Sequence, residues 1–209
     1  MTIQSAADNF GRAIAHCENL ASVHRAHGGG GRGRRYQEVS LNRAIIVLAV
    51  AAWQSVVENL ADAIIDIGVP GPGSPLSLQT YTAMMGAARK GIGDFSTPNA
   101  DNSRRVFISA GFDPRPSWTW TLPGNVHWST STVSQRLDQW LKVRHAIAHG
   151  HRQLPHVEAL SWVREHPGSA EAPALRLPDA ESCMRFVTRL AHATGDAAAD
   201  HLTVARPSW

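Results

Sequence analysis

The sequence predicts an all-α fold: a helical bundle of about four long helices, with short helices and an irregular insertion in the middle. Three observations carry this. Apolar residues recur every three or four positions in four separate long stretches, proline and glycine clusters break the chain between them, and the composition is that of a globular protein, 43% hydrophobic and 18% charged. A bundle is the simplest way to bury four such stripes. With 209 residues the chain is long enough for a real core, and 1–209 is read as one domain with an insertion at about 74–129.

The first helix is expected from Ser5 to about His27. Its apolar positions are Phe10, Ala13, Ile14, Cys17, Leu20 and Ala21, with Ser5 as N-cap. The run from Gly28 to Arg35 cannot hold a helix, because each glycine costs about 1 kcal/mol relative to alanine in a helix interior. This basic loop is either a grip for nucleic acid or a solvated linker. Ser40 then caps a long helix carrying Leu41, Ile45, Leu48, Ala52, Val56, Leu60 and Ile64, ended by Gly68 and Pro70-Gly71-Pro72-Gly73. Glu58 and Asp62 fall opposite its stripe and read as solvated.

Glycines and prolines fragment the next segment, so only short helices fit, near 78–90 and 99–110. Trp118, Trp120 and Trp128 close it, either to stack on bases or to pack the insertion onto the core. A second long helix spans about Thr130 to His149. After a proline-rich connection, the last helix begins at Asp179 and runs to about Val204.

Other classes are constrained by what the chain carries. Cys17 and Cys183 lie far apart without CxxC spacing and read as buried free thiols. The N-terminal residues lack a basic stretch followed by an apolar run, so a cytoplasmic location is expected. The most apolar stretch, Ala44 to Ala52, falls short of membrane-spanning length and reads as a core helix, with no membrane partner. A formal charge of +3 and a pI near 9.3 permit nucleic acid as a partner without requiring it.

The segment Arg144-His145-Ala146-Ile147-Ala148-His149-Gly150 stands apart. At about 100° per residue, Val133, Leu137, Trp140, Leu141, Ile147 and Ala148 share one face, and Arg144 projects from the middle of it. A guanidinium keeps its proton, so on an apolar face it needs an anion, carbonyl acceptors or a water-filled cavity. It either pairs with a carboxylate of another helix, fixing the bundle's register, or binds a ligand's negative charge. His145 and His149, four apart, are neighbours on one flank, where Gly150 ends the helix. Their spacing also suits metal ligation, with His151 as a further donor, but Ala146 stands where a His-Glu-x-x-His protease needs its glutamate.

Arg144-His145-Ala146-Ile147-Ala148-His149 resembles the Arg-x4-His signature of HEPN domains (higher eukaryote and prokaryote nucleotide-binding). The stretches 53–60 and 137–143 look like the two central helices of such a domain. The order of elements is most like the RiboL-PSP branch. The resemblance implies a metal-independent endoribonuclease with no cofactor, commonly a homodimer that brings two motifs into one cleft, and frequent in toxin-antitoxin and antiviral defence systems. It implies His149 as general base or acid, Arg144 on the scissile phosphate, and His145 orienting the phosphate or the catalytic His. RNA is the expected partner, with an antitoxin or defence-system protein as a further one. A non-catalytic HEPN-type module that binds RNA or nucleotide at the same cleft remains the alternative, and a metal-dependent hydrolase built on His145, His149 and His151 is a third.

Overall fold

The computed structural model describes residues 1–27, 36–71, 74 and 76–209. It is all-α apart from one two-stranded hairpin. The basic glycine-rich run 28–35 and Pro72-Gly73 lie outside the described residues.

Helix α1 (Ile3–His27) starts two residues before the expected cap. Thr2 takes that place: its hydroxyl accepts from the Ser5 amide at 3.0 Å, while the Ser5 hydroxyl accepts from the Thr2 amide at 2.9 Å. This reciprocal pair satisfies two otherwise orphaned donors and puts Ser5 in the first turn. Helix α2 (Tyr36–Ile67) likewise begins four residues before Ser40. Gln37 and Glu38 do not resist helix, and an acidic Glu38 suits a first turn.

Helix α2 forms the axis of the fold. Ile45, Ile46, Val50, Trp53, Val56, Val57 and Leu60 are fully buried on more than one of its faces, because α1, α3 (Leu78–Gly93), α4 (Ala100–Ser109), α5 (Thr130–Ala148) and α7 (Leu177–Leu202) all pack on it. By length and composition its residues Gln37–Ile67 reach what a membrane crossing needs, contrary to the short apolar stretch read from the sequence; 56% of its most apolar window is buried inside the protein. Glu58 and Asp62 are half-buried rather than solvated. The insertion folds over their side of α2, where Gln54 donates to both Glu58 and the Phe95 carbonyl at 3.0 Å. Cys17 and Cys183 are buried and free. Burial pushes the Cys17 thiol up to about 11 and raises Cys183 well above its ordinary value.

Besides α3 and α4, the insertion holds a hairpin, β1 (Trp120–Leu122) with β2 (Val126–Trp128), in antiparallel register Trp120 to Trp128. Pro123-Gly124-Asn125 makes its turn, with positive φ at Gly124 and Asn125. Trp118 is fully buried, edge-on to Trp53, and its indole N–H donates to the Thr194 hydroxyl of α7 at 3.0 Å. It pins the insertion to two helices of the bundle. Trp120 and Trp128 remain half-buried.

The connection after α5 carries a short α6 (Ser161–Glu165). Helix α7 begins two residues before Asp179, which is buried and accepts from the Arg176 amide at 3.0 Å and the Ser161 amide at 2.7 Å. One carboxylate thus holds the starts of both helices. Farther along α7, Gly195 leaves a notch filled by Trp209. A Cβ there would lie 2.5 Å from the indole, which also stacks on His192 and donates to Asp196.

Candidate functional site

Helix α5 positions the Arg-His segment. Ser129 caps its start, accepting from the Thr132 amide, and its buried residues are Val133, Leu137, Trp140, Val143 and Ala146. From Leu137 onward these recur strictly every third residue, and on a helix of 3.6 residues per turn such a series drifts around the cylinder. By the last two turns the core side has rotated onto Val143 and Ala146. Arg144 therefore lies beside the buried stripe rather than in the middle of it, and Ala148 is exposed instead of sharing the core face.

The consequence for Arg144 is a half-buried guanidinium. Its Nε is shielded from solvent and has no hydrogen-bond partner, and among the described residues it forms no ion pair. The carboxylate that would make it a register pin for the bundle is therefore missing from the described residues. A buried donor left unsatisfied is costly, and Arg144 shares that condition with the Nε of Arg43 on α2.

The helix stops in a turn that reuses its last carbonyls. The Gly150 amide donates to the Ile147 carbonyl at 3.1 Å and the His151 amide to the Ala146 carbonyl at 2.9 Å, with Gly150 at φ +65°. Glycine meets this left-handed geometry without strain. The reversal brings a third imidazole to the two on the helix: ring centroids are 4.2 Å apart for His145 and His149, 5.9 Å for His145 and His151, and 6.2 Å for His149 and His151. All three are exposed. Among the described residues, no group of three or more His, Cys, Asp or Glu side chains is disposed to hold a metal ion. Gly150→Ala is expected to cost about 1 kcal/mol through the backbone alone, a loss of roughly 2–4 °C in Tm, and to move His151 away from His145; thermal melting and imidazole NMR shifts report both.

Arg144, His145 and His151 line an open groove of about 700 Å³ between α5, the N-terminal end of α4 and residues 151–155; His149, expected at the same site, does not line it and adjoins it through the ring of His145. Lys142 adds a cation, and Asn99, Thr97 and Gln153 add neutral polar groups. Asp138 is its acidic member. One of that carboxylate's oxygens accepts from the Ala100 amide at 3.0 Å, so the charge is engaged with the first turn of α4. The other ionisable side chains of the groove, Lys142, Arg144, His145 and His151, are basic, and they stand among the apolar Pro98, Leu141, Ala146, Leu154 and Pro155.

Comparison with protein-family models, with curated proteins and with solved structures finds no match. The chemistry of the groove therefore rests on its own residues. Asp138 and Lys142 were missed in the sequence, although Asp138, Lys142, His145 and His149 recur at four-, three- and four-residue steps and so share one helix face. Thr97, Asn99 and Gln153 carry no such signal, since they reach the groove only through the packing of the insertion and the post-α5 loop.

Proposed function

We propose that this groove, together with His149 beside it, whose ring lies 4.2 Å from that of His145, is the active site of a metal-independent endoribonuclease of HEPN type, with Arg144, His149 and His145 as its catalytic residues. The observation that carries the reading is the half-buried Arg144, whose Nε has no partner, set beside clustered imidazoles. A phosphodiester supplies what that site lacks: oxygens for the guanidinium's fork.

RNA brings its own nucleophile. An imidazole, His149 in this reading, takes the 2′-OH proton as O2′ bonds to phosphorus. Arg144 stabilises the charge on the phosphorane, and the P–O5′ bond breaks as a second imidazole protonates the leaving oxygen. The products are a 2′,3′-cyclic phosphate and a 5′-hydroxyl. An imidazole can hold or lack a proton near neutral pH, which fits it for either half of the exchange. His145 is close enough to be the second carrier within one chain. In a homodimer with both motifs in a shared cleft, His149 of the second copy would take that part. The same reading makes the protein a cytoplasmic toxin or antiviral-defence effector, with an antitoxin or operon protein as partner.

The test is incubation with RNA in excess EDTA. Cleavage leaving 2′,3′-cyclic phosphate ends, with the matching DNA intact for want of a 2′-OH, is expected. Cleavage abolished by EDTA would overturn the mechanism, and intact RNA together with nucleotide binding that Arg144→Ala weakens would replace it with a binding module.

A further inference from the structure

A second cleft, of about 850 Å³, lies where the hairpin β1–β2 meets α5 and α7. It shares no lining residue with the groove at Arg144. Its wall is the aromatic face of the insertion: Trp120 and Trp128 stack with centroids 6.1 Å apart, and both lean on Phe186. Around them stand arginines. The Arg136 guanidinium sits 5.1 Å over Trp128 and that of Arg189 5.9 Å over Trp120, while Arg164 and Arg185 line the same space.

The charge here is unbalanced. Arg136 and Arg164 donate to the Glu158 backbone carbonyl, not to a carboxylate. Among the described residues neither they nor Arg189 form an ion pair, whereas Arg185 pairs with Glu181 at 3.6 Å; Glu18 is the only acidic side chain in the lining. Burial first, and then the neighbouring Arg164, push the Arg136 pKa down, against the opposing pull of Glu158. Lying over an indole stabilises the guanidinium groups of Arg136 and Arg189 but leaves their charge without a carboxylate. Flat π surfaces beside cations are what a strand of unpaired bases requires, the bases stacking and the phosphates meeting arginine.

We infer that this cleft binds single-stranded RNA, with Trp120 and Trp128 as the stacking surface and Arg136, Arg164 and Arg189 as phosphate contacts. It deepens the ribonuclease reading of the Arg144 groove, because α5 carries both. Arg136 and Arg144 are separated by about 12 Å along the helix axis, and at about 100° per residue Arg136 projects from the side of α5 opposite His145, so the cleft is a separate hold on the strand and not a continuation of the groove.

The experiment is fluorescence anisotropy of a labelled short 2′-O-methyl oligouridine, which cannot be cleaved, titrated with the whole chain over a range of salt. Trp128→Ala is expected to weaken binding roughly fivefold to a hundredfold, the loss of one stacked base. Since Trp128 also packs on Phe186, the exposed Arg189→Gln serves as a variant without that burden: it should flatten the slope of log affinity against log salt by about 0.7. Affinity and slope unchanged in both variants would overturn the proposal. So would no binding by the unaltered chain, or polyglutamate displacing the oligomer as well as unlabelled oligouridine does, which would make the cleft a site for acidic peptide. Because the probe has no attacking 2′-OH, failure of RNA cleavage leaves this measurement standing, and its failure leaves the cleavage assay standing.

Discussion

Arg144→Ala and His149→Ala are each expected to lower RNA cleavage by a hundredfold or more, at unchanged fold. Positioned proton transfer contributes about 10²–10⁴ to a rate, and one preorganised donor to a developing anion about 10²–10³. Arg144→Lys should recover little, because an ammonium cannot offer two parallel donors to two phosphate oxygens. The informative companion measurement is stability. An arginine pinned to a carboxylate destabilises the fold when removed; Arg144 has a shielded Nε with no acceptor, so Arg144→Ala should melt at the same temperature as the parent or above it. Loss of cleavage without loss of stability assigns the residue to chemistry. Full cleavage in both alanine variants removes the site, and a fall in Tm for Arg144→Ala would return the residue to a structural role.

The largest effect on folding is expected from Trp118→Ala. The side chain is wholly buried between α2 and α7, edge-on to Trp53, with its N–H on Thr194. Truncating a buried tryptophan costs about 3–5 kcal/mol, the transfer of its surface plus the cavity left behind. For a chain of this size that is a drop in Tm of roughly 6–20 °C, read by circular dichroism melting. Trp118→Phe should recover most of it. The Thr194 hydroxyl still donates to the Leu190 carbonyl at 2.7 Å in that variant, so only the indole bond is lost. A Trp118→Ala protein as stable as the parent would mean that the insertion is held by its other contacts.

The long helices were legible because their burial repeats at helical spacing: Ile45, Leu60 and Leu137 are buried where the periodicity puts them, although Leu48, expected on the stripe of α2, is 39% exposed and Trp53, outside it, is wholly buried because α2 is covered on several sides. Their first residues were less so. Thr2 and Ser5 are both competent caps, and only the reciprocal bonds choose between them. The hairpin was invisible because two three-residue strands are too short to show alternation above noise, leaving Pro123-Gly124-Asn125 as its one local mark. At the candidate site the helix end and its histidines could be read directly, and Gly150 announced the turn. A single angle per residue puts Arg144 in the middle of the apolar face because it assumes a core that stays on one side; the three-residue recurrence of Leu137, Trp140, Val143 and Ala146 moves that core. That Asp138 is occupied by α4 is a tertiary fact with no trace in local sequence.

The notch at Gly195 has a consequence for descent. A side chain at 195 and the indole of Trp209 would occupy one volume, so position 195 is not free to vary while the indole keeps its seat. A lineage that acquired alanine at 195 would have to surrender the aromatic anchor that also touches Phe10 and His192, and one that lost the anchor would be released from keeping glycine. Across fourteen residues of sequence, glycine at 195 is a condition for the indole's seat, while the indole is no condition for glycine.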